Sequence, residues 1–178
     1  KITEVWSPSL EYLQDLETMT AKYRINQYQH LVESDDAAMN SCEEEIQKLE
    51  SQIQDTAANL AAIMSADSDA QKGQDDYEAA NTAWEKYMAA SDEILQLSRE
   101  GKQQEASKLM TGDVYEEYKA FAEKLTILRD EFQAELDQAK TMANVCTIII
   151  FVVIVAAGLA IAVVTTLIGK IITNSITE

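Results

Sequence analysis

The stretch Val145–Ile168, VCTIIIFVVIVAAGLAIAVVTTLI, lies within a run free of charge between Lys140 and Lys170. An α-helix of about 20 apolar residues crosses the hydrocarbon layer, and 24 residues leave room for some tilt. A helix apolar on every side could also be the core of a large soluble body, but the 144 residues before it are acidic and helical and too few to surround it. A signal peptide would stand at the N-terminus. The segment predicts a membrane-spanning helix, in which Thr165 and Thr166 bond back to helix carbonyls.

Thirty-one acidic against 14 basic side chains give a net charge of -17, which argues against a nucleic-acid partner or an anionic membrane surface. One proline and five glycines leave little to interrupt helices. The two cysteines form no disulfide framework, because Cys146 opens the membrane helix, and Cys42 reads as a small core residue. The chain opens on Lys1 without methionine, and the expectation is a piece of a longer protein with an earlier membrane helix.

Ser7-Pro8 can start a helix. The first long helix, about Leu10 to Asp35, carries Leu10, Leu13 and Leu16 on one side. It then turns polar at Thr20, Tyr23, Arg24, Gln27 and His30. This polar yet patterned face suits a wet homodimer interface better than a dry core. Two readings stand for Arg24, the only arginine in the first 98 residues: a solvated charge beside acidic neighbours, or an anion-binding fork. His30 has no second ligand nearby, so a surface or interface place is expected rather than a metal site.

The second helix, about Ala37 to Ala66, spaces Met39, Cys42, Ile46, Leu49, Ile53, Thr56, Leu60 and Ile63 by threes and fours, as bundle cores do. Ser34-Asp35-Asp36 can cap it. A third helix, about Asp75 to Arg99, presents Tyr77, Ala80, Trp84, Tyr87 or Met88, Ser91, Ile94 or Leu95, and Ser98, with the aromatics read as core. Gly101 then marks a tight reversal. The fourth helix starts near Gln103, bends at Thr111-Gly112, and carries Tyr115, Tyr118, Phe121 or Ala122, Leu125, Leu128, Phe132 and Leu136 into the membrane span. From Asp113 to Ile168 such a rod would be about 80 Å long.

These four limbs predict an all-α, up-down-up-down four-helix bundle whose last helix continues into a transmembrane helix. Residues 1–142 form the bundle, 143–169 the span, and 170–178 the segment beyond it. Arg24 lies about a dozen residues below its loop and Tyr115 a similar distance below Gly101, which puts them at equal height. A cluster of Tyr23, Arg24, Gln27, Tyr28, Tyr115, Tyr118 and Lys119 follows as the candidate ligand site, with helix phase setting which of them face one another.

TAKYRINQYQHL, with Arg24, and WEKYMAASDEILQLSREGKQQEASKLM resemble the four-helix-bundle ligand-binding domain of methyl-accepting chemotaxis receptors, and IGKIITNSITE is similar to the opening of a HAMP linker. The resemblance implies a homodimer in the bacterial inner membrane with residues 1–142 in the periplasm. It further implies a small organic acid or amino acid as ligand, and a cytoplasmic histidine kinase and coupling protein reached through a C-terminal region beyond this chain. Arg24 matches the first-helix arginine that the family often keeps. The further arginines of the aspartate type are missing, and Asn174 stands where a basic residue is common.

No His, Asp, Glu and Cys set at ligand spacing and no glycine-rich phosphate loop is present, so neither an enzyme nor a cofactor is expected, and runs such as CEEEI read as solvated helix faces. The alternatives to a chemoreceptor are the sensor domain of a histidine kinase and a ligand-free structural or adhesion stalk.

Overall fold

Pro8 in a first turn gives up only an N–H that has no helical partner there, so the chain enters its first helix early. In the computed structural model, which describes residues 2–177 apart from the side chains of Thr3 and of residues 172–177, a π-helical turn Ile2–Trp6 leads directly into α1, Ser7–Val32. Asp35 then caps α2, Asp36–Ala66, its Oδ2 accepting from the Ala38 amide at 3.0 Å. A short 3-10 turn, Ala70–Gly73, precedes α3, Gln74–Arg99. Gly101, at φ +74, ends α3 in a left-handed cap: its amide reaches the Ser98 carbonyl and the Lys102 amide reaches Leu97.

The fourth limb is two helices. α4, Gln103–Thr111, stops at Gly112, and α5 runs Asp113–Thr177. The architecture is an all-α four-helix bundle with a long apolar terminal helix, as the periodicities predict. Contacts divide the chain into one unit, Lys1–Leu136, and a second, Asp137–Glu178.

The core of the first unit has two tiers. Around the start of α1 it is apolar apart from the buried Ser9 hydroxyl: Trp6, Leu13, Leu16, Leu60, Met64, Leu125, Leu128 and Phe132 are buried, and the Trp6 and Phe132 ring centroids lie 5.5 Å apart. On α2, Met39, Cys42, Ile46, Leu49, Ile53 and Leu60 are inside as expected, while Met64 rather than Ile63 completes the stripe. Burial pushes the Cys42 thiol up, as befits a small core residue. Towards the turns at 33–35 and Gly101 the core becomes polar.

The second unit is the remainder of α5. It is long and apolar enough to cross a membrane, with an 18-residue window of mean hydropathy 3.1 and no part of that window buried. Thr165 and Thr166 donate to the Ile161 and Ala162 carbonyls at 2.9 and 2.7 Å, which keeps their hydroxyls satisfied inside an apolar helix. Of the HAMP-like segment, the side chains from 172 onward, Asn174 included, lie outside the described residues.

Removing the Trp6 ring leaves a void in the apolar tier. Trp6→Ala should destabilise the bundle by about 3–5 kcal/mol, whereas Glu11→Ala on the exposed face should stay within about 0.5 kcal/mol. Denaturant unfolding of the detergent-solubilised chain, followed by circular dichroism, measures both.

Candidate functional site

The polar face of α1 does not form an outer surface. Thr20, Tyr23, Arg24, Gln27 and His30 are all buried inside the bundle, which corrects the expectation of a wet interface along that face. The reason is that α3 supplies partners. Gln27 Nε2 donates to Ser91 Oγ at 2.6 Å, and Tyr87 Oη donates to Gln27 Oε1. Tyr23 Oη shares a bond with Ser91 Oγ at 2.5 Å and donates to Glu50 Oε1 at 3.1 Å. His30, expected at a surface or interface, has no exposed area. Its Nδ1 lies 2.8 Å from Ser98 Oγ and its Nε2 2.9 Å from Glu43 Oε1, and Ser98 donates back to the His30 carbonyl. Buried polar groups with partners of this kind specify a core rather than weaken it.

Arg24 is treated differently by its surroundings. It is 8 % exposed, and its Nη2 donates to Tyr28 Oη at 3.0 Å and to the Met110 carbonyl at 3.1 Å. Its guanidinium carbon lies 4.6 Å from the Tyr115 ring centroid, 4.9 Å from Tyr118, 5.2 Å from Tyr28 and 5.9 Å from Tyr87. Nη1 is buried with no hydrogen-bond partner. No carboxylate among the described residues forms an ion pair with this cation.

The cage does not supply the missing charge. Burial raises the Tyr118 phenol and pushes Tyr87 up to about 12, against the opposing pull of Arg24, so near neutral pH these rings carry protonated hydroxyls. Each cation–π contact contributes about 0.5–2 kcal/mol, while burying an ion costs several kcal/mol unless it is well paired. Neutral acceptors and ring faces therefore offset much of the cost and leave one positive charge without a counter-ion.

Of the seven residues read from the sequence, Arg24, Tyr28, Tyr115 and Tyr118 come together. Tyr28 and Tyr115 are 39 % and 38 % exposed and form the rim. Tyr23 and Gln27 sit deeper, in the Ser91 network behind the cage. Lys119 is exposed, paired with Glu116 at 3.0 Å, and reaches only the Tyr115 ring, 5.7 Å from its Nζ. Tyr87, which the periodicity offers as a core position in alternation with Met88, is buried and is also the cage's inner wall. The stacked Trp84, 5.2 Å from Tyr87 between centroids, supports it from behind. Among the described residues no group of three or more His, Cys, Asp or Glu side chains could hold a metal ion.

The described residues thus combine an all-helical bundle, a buried cation caged by tyrosines, and an apolar helix long enough to cross a membrane. The family model of the four-helix-bundle sensory module for signal transduction matches residues 2–145, and the chain belongs to that family. The module is typical of methyl-accepting chemotaxis receptors. No curated protein and no solved structure matches the chain.

The Glu43 junction gives the bundle a pH response. The hydrogen bond from Arg99, 2.8 Å away, and then that of His30 hold the Glu43 carboxyl below the usual glutamate range, against desolvation. A folded-state pKa below the unfolded value contributes stability that is present above the unfolded value, about 4.3, and is lost as pH falls through the folded one. The stability difference between wild type and Glu43→Gln should therefore shrink as pH falls through that acid window. Thermal unfolding of both chains across pH checks this.

Proposed function

We propose that the chain is the sensing and membrane-crossing part of a chemoreceptor that binds a small carboxylate at Arg24. The observation that carries this reading is the buried guanidinium with an unpartnered Nη1 and no carboxylate of its own. A planar fork of N–H donors suits a carboxylate, and the half-exposed Tyr28 and Tyr115 rings offer a way in. In a domain of net charge -17 an anion is repelled over most of the surface, so a single unneutralised buried cation is where one would settle. Tyr28, Tyr115 and Tyr118 serve as walls and hydroxyl donors; Tyr23 and Gln27 hold the inner wall; Lys119 is a rim cation drawn to Glu116.

In this reading residues 1–142 face the periplasm, 143–169 cross the inner membrane, and 170–178 open a HAMP linker towards a cytoplasmic histidine kinase and its coupling protein. The chain works as a homodimer. The support for a dimer is an outer stripe of α1, where Ile25 is 54 % and Val32 81 % exposed with Tyr28 between them, an apolar row at helical spacing. A structural role for Arg24, as a stalk would require, is favoured by one observation, its bond to the Met110 carbonyl.

Calorimetric titration of the full chain in nanodiscs with amino acids, di- and tricarboxylates and aromatic acids separates these readings. A carboxylate should bind wild type, and Arg24→Ala should weaken it by about 2–5 kcal/mol, roughly 30-fold or more. A folded Arg24→Ala chain with unchanged affinity moves the site elsewhere.

The assembly is tested in membranes. Single cysteines at Ile25 or Val32, in a chain with Cys42 and Cys146 replaced, should form disulfide-linked dimers under mild oxidation. Failure at both positions removes the α1 interface.

A further inference from the structure

Helix α4 ends where its carbonyls need new partners. In an unbroken helix the Met110 carbonyl would accept from the Val114 amide. Here the chain breaks at Gly112, and Arg24 Nη2 reaches across from α1 to donate to that carbonyl at 3.1 Å. A cation at the C-terminal end of a helix also meets the negative end of its dipole. Arg24 is thus shared between two tasks, with Nη2 capping α4 and Nη1 left for an anion.

Two further observations bear on the break. It borders an open hollow of about 420 Å³ lined in part by Glu105, Leu109, Gly112 and Asp113, so α4 has room beside it. A Cβ on Gly112 would stand 2.9 Å from the Lys108 carbonyl oxygen, so the observed break needs glycine, while any other residue there favours a different course of the chain.

We infer that Arg24 is the positioning residue that holds the α4–α5 break, and that the anion site and the break are coupled through it. This rests on the carboxylate reading given above. A carboxylate that engages both Nη atoms as a fork draws on the Nη2 protons now shared by Tyr28 and Met110, and its charge cancels the attraction of Arg24 for the end of α4. The cap weakens, the Met110 carbonyl takes the Val114 amide, and α4 joins α5. By linkage the reverse holds too: a chain whose break is already closed binds the acid more tightly.

Hydrogen exchange by mass spectrometry on the full chain in nanodiscs tests this at Asp113 and Val114, whose amides open α5 and gain an intrahelical acceptor when the break closes, whereas the Gly112 and Tyr115 amides already reach the Leu109 and Gly112 carbonyls. Arg24→Met should slow exchange there about fivefold or more, and Gly112→Ala should do the same with Arg24 intact and tighten acid binding by about fivefold, the lower end of ordinary coupling. Succinate and benzoate are the probes for the acid arm. Unchanged exchange in a folded Arg24→Met chain overturns the cap. An acid that binds wild type without slowing exchange at Asp113 and Val114, or binds a closed Gly112→Ala chain no more tightly, overturns the coupling and leaves the carboxylate reading standing. If neither acid binds wild type while Arg24→Met still slows exchange, the cap stands and the carboxylate reading falls. Should Arg24→Met fail to fold, the Gly112→Ala comparison decides.

Discussion

A guanidinium buried without a counter-charge is the constraint on which the upper half of this bundle depends. It cannot be tolerated in an apolar tier, so α1 gives up its leucines at that height for Tyr23 and Gln27, and α3 supplies Tyr87 and Ser91 opposite them. Four rings contribute π faces, a neighbouring hydroxyl accepts a hydrogen bond, and a backbone carbonyl is made available only because the helix carrying it stops early. The break at Gly112 and the polar core are then two sides of one arrangement.

Beneath that tier the physics changes. Trp6 against Phe132, with Leu13, Leu125 and Leu128, is ordinary close packing. Salt bridges on its flanks, Arg129 with Glu17 at 2.7 Å and Lys124 with Asp76 at 2.6 Å, join α5 to α1 and α3 at partly exposed positions where such pairs contribute little. Shape rather than charge holds this part together.

How much of this was legible in the sequence differed by element. The 3-and-4 spacing of α2 placed its core, and Thr111-Gly112 announced the break. Equal height brought Arg24 and Tyr115 to one level, but height says nothing of direction: Tyr118 and Lys119 are one residue, about 100°, apart on the helix, and only the first turns inward. The polar run of α1 misleads because a satisfied polar core and a wet interface share one pattern. The signal that distinguishes them lay on another helix. Ser91 and Ser98 occupy core positions of α3, seven residues apart, and small hydroxyls at such positions leave space and partners for the long polar side chains Gln27 and His30 opposite. Tyr87 was missed as a cage wall for the same reason: periodicity locates a ring in the core without saying what its face touches.

The separation of the two tiers has an evolutionary consequence. Mutations at well-separated positions without shared partners act almost independently, so exchanges among the residues around Arg24 can reshape the polar tier while the Trp6–Phe132 tier keeps its packing. On the proposed reading, a lineage can therefore drift among chemical cues by altering a handful of side chains in one tier, on a scaffold whose other tier never has to be reinvented.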